Sequence, residues 1–132
     1  MTSCVFCDIV ARRTPAELVC EDARVIAFLP LSMRARAHLL IAPRDHLAGI
    51  WDMDDRVLAD VMIIVRELAA RMRDRLGATG INILHATGPD AQQSVPHAHV
   101  HLLARFAGDG IDAWPPLVEH VLDRAALARA LS

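Results

Sequence analysis

One long amphipathic segment lies in the middle of the chain and limits the folds that the chain can adopt. In residues 54–77, DDRVLADVMIIVRELAARMRDRLG, apolar residues recur at steps of three and four, which is typical of one face of an α-helix. Asp54 or Asp55 is expected to cap the start of this helix, and Gly77 its end. Because Arg, Glu and Asp occupy the opposite face, we interpret the segment as a core helix with one solvated side.

Short strand-like segments surround this helix. They are residues 18–29, which predict a hairpin around the turn EDAR, residues 37–43, which end at Pro43, residues 80–85 and residues 97–106. A short terminal helix is predicted for residues 115–132, with Pro115 and Pro116 at its start. The order of the elements lacks the regular alternation of strand and helix that a parallel sheet requires. The sequence therefore predicts an α+β fold with an antiparallel sheet.

Composition and charge exclude several classes of protein. A chain of 132 residues with 54% apolar content can form one substantial core, and we predict a single domain over residues 1–132. The formal net charge is -2, and the basic residues, all arginine, are scattered, so we expect no nucleic-acid partner. The apolar runs are far shorter than the roughly 20 residues that span a bilayer, and the N-terminus lacks the apolar stretch of a signal peptide. We therefore expect a cytoplasmic protein without a membrane partner.

Three histidines alternate with apolar residues in the segment QQSVPHAHVHLLARF, residues 92–106. On a strand, His97, His99 and His101 would share one face, and the residues between them would face the core. A single histidine on a strand is usually a half-buried side chain with its hydrogen bonds satisfied. Three in strict alternation are costly to keep for packing alone, so the pattern indicates chemistry.

Two kinds of chemistry fit three adjacent imidazoles. They can share a metal ion, as His-x-His pairs do in catalytic zinc sites. Alternatively, one imidazole is a nucleophile or base at a substrate, and its neighbours tune it. Gln93 and Ser94, just before the strand, supply neutral donors and acceptors that suit phosphate oxygens better than a soft metal shell. They favour the second interpretation.

The segment QSVPHAHVHLL resembles the signature of the histidine triad (HIT) family, and two further segments resemble blocks of that family in the same order. CVFCDIVARRTPAELVCEDARVIAFL resembles its N-terminal block, and AHLLIAPRDH resembles its central block. Together the three segments cover residues 4–106, which leaves residues 107–132 as a C-terminal extension. The resemblance implies the HIT-like fold, a five-stranded antiparallel sheet with one long helix and short terminal helices.

The resemblance also implies a reaction. In the family, the middle histidine attacks the α-phosphorus of a nucleoside 5'-phosphoramidate or a related nucleotide, and water then cleaves the nucleotidyl-histidine intermediate. His99 would be this nucleophile, since a neutral imidazole is a competent nucleophile near pH 7. His101 would bind the phosphate, and His38 would complete the imidazole cluster. Gln93 and Ser94 would lie beside the leaving group or a phosphoryl oxygen.

Five apolar residues match the base pocket of the family. They are Val5, Phe6, Ile9, Phe28 and Leu31. Phe6 and Phe28 are the candidates for contact with the substrate, most simply a purine nucleoside monophosphate derivative. Ordinary core packing is an equally good explanation for each of the five residues.

A C-x-x-C pair near the N-terminus has an explanation of its own. Bacterial members of the family that contain this pair bind a structural zinc ion, and a Cys₂His₂ set is one that zinc prefers in closed tetrahedral sites. By this resemblance the ligands would be Cys4, Cys7, His46 and His97. A thioredoxin-like redox pair would require a βαβ context that the chain lacks. Unliganded thiols remain the alternative, and Cys20 is expected to be a small core residue.

Three positions depart from the family pattern. Pro30 stands where an aspartate usually holds the ribose hydroxyls, Ala86 where an asparagine usually lies beside the phosphate, and Gln92 where glycine is usual. The lost carboxylate removes a charge-assisted hydrogen bond worth roughly 1.5 to 3 kcal/mol. These departures support an alternative function, a zinc-stabilised HIT-fold binding or regulatory protein with weak or no nucleotide turnover. A metalloenzyme with zinc on all three triad histidines is a third interpretation.

Assembly is also suggested by the resemblance. Family members of this branch form two-fold dimers through the long helix and the adjoining strand, which here are VLADVMIIVRELAARM and GINILH. Residues 62–65 form a run of four apolar side chains, wider than one core-facing stripe requires. Exposed strand edges and apolar patches are usually covered by a partner. We therefore expect an isologous homodimer in which Ile63 or Ile64 meets its symmetry mate.

Overall fold

The computed structural model describes residues 3–114, 117–120 and 123–132. Its helices are α1 (Val5–Val10), α2 (Asp55–Leu76) and α3 (Arg124–Leu131). Its strands are β1 (Leu18–Glu21), β2 (Val25–Phe28), β3 (His38–Pro43), β4 (Gly80–His85) and β5 (Val100–Arg105), and short 3-10 turns cover Ile50–Asp52 and Pro89–Ala91. The five strands form one antiparallel sheet in the order β1-β2-β3-β5-β4. The predicted fold class is confirmed.

Helix α2 packs on one face of the sheet and has the predicted ends. The Asp54 side chain accepts a hydrogen bond from the Val57 amide, and Gly77 takes a left-handed conformation with φ 73°. The stripe of the helix that is buried repeats at steps of three and four residues: Val61, Val65, Leu68 and Met72. It packs with apolar side chains of β2, β3 and β5 in the larger of two cores. The interpretation of this segment as a core helix is confirmed.

Helix α1 covers the opposite face of the sheet in a second, smaller core. Phe6 and Ile9 of α1 are buried there against Ile26 and Phe28 of β2 and Leu40 of β3. The residues between these on β2 and β3 face the larger core, so both strands are buried on both sides. Helix α1 thereby brings the C-x-x-C pair to the face of the sheet that α2 leaves open.

The first two triad histidines lie outside the strand that their alternation predicts. Strand β5 begins at Val100, so the prediction of a strand from residue 97 is wrong for residues 97–99. The amide of Ala98 bonds at 2.6 Å to the carbonyl of Leu47, in the loop after β3, and so is not available to a neighbouring strand. Residues 97–99 therefore form an irregular segment that leads into the sheet.

The C-terminal helix is shorter than predicted. Helix α3 covers Arg124–Leu131 instead of residues 115–132. The Asp123 side chain accepts a hydrogen bond from a first-turn amide and caps the helix, which explains why the helix starts at this point. Pro115 and Pro116, predicted at the start of the helix, lie outside the described residues.

The lengths of the helices test the expectation that the chain has no membrane-spanning segment. In the part of the chain that the structure describes, no helix combines the length and the apolar character needed to cross a membrane.

Candidate active site and metal cluster

A cavity of about 580 Å³ is lined by residues of α1, β2, β3 and β5 and of the loops next to them. All five residues matched to a base pocket line it: Val5, Phe6, Ile9, Phe28 and Leu31. Phe6 and Phe28 are buried, and their rings pack edge to face with centroids 5.2 Å apart. These two side chains therefore belong to the smaller core and to the wall of the cavity at once.

Three imidazoles line the same cavity. His38 on β3 and His101 on β5 are hydrogen-bonded, with 2.9 Å between Nε2 of His38 and Nδ1 of His101. The ring centroid of His99 lies 4.9 Å from that of His101. His38 and His99 are only 3% and 5% exposed. The structure thus brings together the three histidines that the resemblance names as catalytic.

Hydrogen bonding fixes the tautomer of His99. Its Nδ1 lies 2.8 Å from the carbonyl oxygen of His97. Because a carbonyl oxygen can only accept, Nδ1 must carry the proton when the ring is neutral. The lone pair is then on Nε2, the nitrogen that a substrate in the cavity can meet.

A second chain of hydrogen bonds fixes His38 and His101. The backbone amide of Arg34 donates to Nδ1 of His38 at 3.1 Å, so Nε2 of His38 carries the proton. That proton is donated to Nδ1 of His101 at 2.9 Å. His101 is therefore left with an Nε2 proton, which makes it a hydrogen-bond donor suited to a phosphate oxygen.

Burial keeps the cluster neutral. It lowers the pKa of His38 and His99 below the ordinary value of 6.5; the charge of Arg34 adds to this effect at His38, and the hydrogen bond to the His97 carbonyl partly opposes it at His99. Burial, followed by the charges of His99, His38 and His85, lowers the pKa of His101 to about 4. At pH 7 the His99 ring is thus in the uncharged form that can act as a nucleophile.

Gln93 and Ser94 occupy different places. Ser94 lines the cavity. The side-chain oxygen of Gln93 accepts from the Gly88 amide at 2.8 Å, and its nitrogen donates to the carbonyls of Ala48 and Val95 at 2.7 and 2.9 Å. Gln93 is not among the described residues that line the cavity, and its contacts fix the loop that carries Ser94.

The positions that depart from the family pattern are also placed by the structure. Pro30 lines the cavity, and none of the described residues lining it is Asp or Glu. Arg34, which sequence reasoning did not single out, lines it as well. Gln92 has φ 68°, in the left-handed region that favours glycine. This backbone conformation explains why glycine is usual at this position in the family. Ala86 is not among the described lining residues.

His85 is a further residue that sequence reasoning missed. Its Nδ1 lies 2.8 Å from the carbonyl oxygen of His99, and its Nε2 lies 2.5 Å from the hydroxyl of Thr87. The Thr87 hydroxyl also accepts from the Ile50 amide at 3.0 Å. Gly49 is so close that a Cβ there would lie 2.5 Å from the Thr87 methyl group. The only signal in the sequence was a histidine at the end of an apolar strand, which is too common to identify a role.

A second cluster lies next to the cavity and joins distant parts of the chain: Cys4, Cys7, His46 and His97. Their sulfur and nitrogen atoms lie within 4.8 Å of one another. Sγ of Cys7 is 3.3 Å from Nδ1 of His46, and Sγ of Cys4 is 3.4 Å from Nδ1 of His97. In a tetrahedral zinc site with ordinary bond lengths, sulfur and nitrogen ligands are about 3.5 Å apart. The donor set and its spacing therefore fit zinc.

The surroundings of His97 support this fit. Its Nε2 lies 2.7 Å from the carbonyl oxygen of Pro43, so Nε2 carries the proton and Nδ1 presents its lone pair to the sulfur atoms. A metal-binding histidine commonly donates its other ring proton in this way, which fixes the orientation of the ring. His97 is fully buried, whereas His46 is exposed. The cluster therefore has one ligand in the core and one at the surface.

Phe6 connects the two clusters. Its ring centroid lies 5.6 Å from that of His97 and 5.0 Å from that of His99. It stands between Cys4 and Cys7 in the sequence, and it lines the cavity. The Cys/His cluster and the imidazole cluster thus share one wall.

Comparisons with known proteins agree with this fold. Residues 11–108 match the family model described as the HIT domain. The chain is 35% identical over 112 residues to "Protein hit" of Bacillus subtilis, a match that covers 84% of this chain and 77% of that protein. It is 32% identical over 120 residues to adenosine 5'-monophosphoramidase HNT1 of Candida albicans, covering 86% of this chain and 78% of that protein. The crystal structure of a Zn-bound histidine triad family protein from Mycobacterium smegmatis matches with a TM-score of 0.80 and 32% identity, covering 84% of this chain and 81% of that one.

An antiparallel sheet that carries clustered imidazoles beside a Cys/His set, together with these matches, defines a histidine triad domain. The chain belongs to the HIT family.

Proposed function

We propose that this protein is a nucleotidyl hydrolase or transferase that attacks the α-phosphorus of a nucleoside 5'-phosphoramidate or related nucleotide through His99. The observation that carries the proposal is the neutral imidazole of His99, which lines the cavity while its Nδ1 proton is held by the His97 carbonyl. The name of the relative from Candida albicans, a monophosphoramidase, supports the choice of a P–N bond.

The proposed reaction has two steps. In the first, Nε2 of His99 forms a bond to the α-phosphorus as the bond from phosphorus to the leaving amine breaks, and the amine takes up a proton that the Ser94 hydroxyl relays from solvent. In the second, a water oxygen forms a bond to phosphorus and releases its proton to solvent, and the bond to Nε2 breaks with its electron pair returning to Nε2, so that His99 is again neutral with its proton on Nδ1. The Nε2 proton of His101 stabilises charge on a phosphoryl oxygen in both steps. Ser94, on the cavity wall, is the candidate donor to the leaving group, and Gln93 supports it through the loop.

Incubation with adenosine 5'-phosphoramidate tests this function. We expect release of ammonia and adenosine monophosphate, and an acid-labile adenylyl adduct that peptide mass spectrometry of rapidly quenched samples assigns to His99. The control is the same protein without substrate, with its fold verified by circular dichroism. A folded protein that gives neither adduct nor turnover would contradict the enzymatic function and leave the binding or regulatory function.

That second candidate function is favoured by one specific observation. The cavity has Pro30 on its wall and no Asp or Glu among its described lining residues, so it offers no carboxylate to the ribose hydroxyls of a nucleotide. Weak recognition of the nucleoside would lower turnover without altering the imidazole cluster. Measured binding of adenosine monophosphate in the absence of turnover would support this alternative.

Restoring a carboxylate at position 30 should strengthen nucleotide binding. Pro30→Asp is expected to tighten binding of adenosine monophosphate by about 10- to 100-fold, because a charge-assisted hydrogen bond to the ribose contributes roughly 1.5 to 3 kcal/mol. Isothermal titration calorimetry measures the effect. The matched control is the analogue that lacks both ribose hydroxyls, whose affinity should change little. Equal tightening of both ligands would show that position 30 does not meet the ribose.

We also propose that the cluster of Cys4, Cys7, His46 and His97 binds one structural zinc ion per chain. The crystal structure from Mycobacterium smegmatis is of a Zn-bound relative, which supports the choice of metal. Zinc would cross-link α1 to the irregular segment before β5 and to the loop after β3. The third interpretation, zinc on all three triad histidines, is disfavoured because Nδ1 of His97 lies beside the two cysteines while Nδ1 of His99 is already bonded to a carbonyl.

Assembly as a homodimer is part of the proposal. Ile63 is 42% exposed on α2, and Met62 on the same helix and Ile83 on the edge strand β4 are exposed as well. Ile64 instead packs against the larger core, so Ile63 is the better candidate for contact with a symmetry mate.

Sedimentation equilibrium should give twice the chain mass of 14.5 kDa, and Ile63→Glu should dissociate the dimer because it places a charge in an apolar interface. Arg75→Gln, at an exposed position in the last turn of the same helix, is the control. A wild-type mass of one chain at micromolar concentration would contradict the dimer.

We place the protein in the cytoplasm and treat residues 1–132 as a single HIT domain with residues 107–132 as an extension. Fluorescence microscopy of a tagged chain would test the location, and limited proteolysis would test whether the extension is separable from the domain.

A further inference from the structure

The proposed nucleophile lies one residue outside the sheet. The ladders that β5 forms with β3 and β4 both end at Val100, in the pairs Ile41↔Val100 and His85↔Val100. Neither ladder therefore extends to the main chain of His99. A nucleophile has to be held within a fraction of an ångström to react efficiently, so another group must fix this residue.

The side chain of His85 takes the place of the next ladder bond. Its Nδ1 lies 2.8 Å from the carbonyl oxygen of His99, and because that oxygen can only accept, Nδ1 is the donor. Nε2 of the same ring then has the lone pair and accepts the proton of the Thr87 hydroxyl. Thr87 is fixed in turn, since its oxygen accepts from the Ile50 amide at 3.0 Å. A continuous chain of hydrogen bonds thus runs from the 3-10 turn at Ile50 to the main chain of His99.

We propose that His85 is a positioning residue for the transfer reaction, holding the main chain of His99 while the His97 carbonyl holds its ring. With both groups in place, the orientation of the His99 ring is fixed, and its Nε2 points into the cavity from one direction. His85 is not among the described residues that line the cavity, so it acts through His99 and not on the substrate. This inference rests on the proposed function of His99.

Two substitutions separate the hydrogen bond from the packing of the side chain. His85→Leu keeps an apolar side chain of similar reach but removes the donor. In His85→Asn, Nδ2–H is as many bonds from the backbone as Nδ1–H of histidine, so the bond to the His99 carbonyl can be kept. We expect His85→Leu to lower kcat about 10- to 100-fold with KM within about twofold of the wild type, because a displacement of a reacting group by about 1 Å can cost as much as about 100-fold in rate. His85→Asn should recover most of the loss.

Two further variants serve as controls. Thr87→Val removes the hydroxyl that orients the His85 ring and should lower kcat by a smaller factor than His85→Leu. His120→Leu makes the same chemical change at an exposed histidine of the C-terminal extension and should leave kcat and KM unchanged. Wild-type kcat in His85→Leu would overturn the proposal. So would a failure of His85→Asn to recover activity, because it would show that packing and not the donor matters.

A second measurement does not depend on turnover. In carbon NMR spectra of labelled protein, the carbonyl carbon of His99 should have the same hydrogen-bonded chemical shift in the wild type and in His85→Asn, and a clearly different shift in His85→Leu. If the wild type has no phosphoramidase activity, the proposed function fails, and the carbonyl shifts still decide whether His85 holds His99. If the wild type is active and the spectrum of His85→Leu is unchanged, the positioning role alone is overturned.

Discussion

Replacing His99 by asparagine should abolish turnover of adenosine 5'-phosphoramidate while the fold is kept. Asparagine can still donate a hydrogen bond to the His97 carbonyl, as Nδ1 of His99 does at 2.8 Å, but it has no nitrogen in the place of Nε2. Because the reaction then has no nucleophile, we expect kcat to fall by about 10⁴-fold or more, the scale on which loss of a covalent nucleophile acts. Steady-state kinetics and the absence of the adenylyl adduct are the two measurements.

The binding properties of the same variant complete this test. His99→Asn should bind adenosine monophosphate within a few-fold of the wild type, because Phe6 and Phe28 still form the cavity wall. His120→Asn, at an exposed position far along the chain, is the matched control and should have wild-type kinetics. Turnover within about tenfold of the wild type in His99→Asn would remove this residue from the nucleophilic role.

Loss of the zinc ion proposed for the Cys/His cluster should lower the free energy of unfolding more than any other change considered. Purified wild-type protein is expected to hold one equivalent of zinc, and Cys7→Ser should lose it and melt at least about 10 °C lower. The physical reason is that a structural zinc ion binds the folded state and not the unfolded one, so its binding free energy adds to the free energy of unfolding. Elemental analysis gives the metal content, and calorimetry gives the melting temperature.

Cys20→Ala is the matched control for that experiment. Cys20 lies on β1 and packs against the larger core, as predicted, and it is not part of the Cys/His cluster. This variant should keep the metal, although it loses a little packing. A chelator should lower the melting temperature of the wild type and of Cys20→Ala but not that of Cys7→Ser. Stoichiometric zinc in a protein that lacks both Cys4 and Cys7 would place the metal on the triad histidines instead.

Much of the fold follows from local patterns in the sequence. Helix α2 was predictable from end to end, because its apolar stripe, its Asp54 cap and its Gly77 terminus all agree. The start of β5 was not predictable from alternation. The Ala98 amide bonds to a loop carbonyl that is distant in the sequence, and a pattern within fifteen residues contains no information about that partner.

The candidate site also contains some residues that the sequence could indicate and others that it could not. Residue types with distinctive chemistry, such as the cysteine pair and the triad, could be recognised with the help of the family resemblance. The contacts of Gln93 and His85 could not be read from the sequence, because they depend on which main-chain carbonyls and amides lie within reach after folding. That information exists only after the chain has folded.

The close approach of Gly49 to Thr87 has a consequence for how this chain can diverge during evolution. An alanine at position 49 would place its Cβ 2.5 Å from the Thr87 methyl group, whereas its distance to the Thr87 hydroxyl would be 3.3 Å. Serine at position 87 would keep the hydroxyl and remove the methyl. The two positions are therefore epistatic: alanine at position 49 is accepted more readily after threonine at position 87 has been replaced by a residue that lacks this methyl group, such as serine.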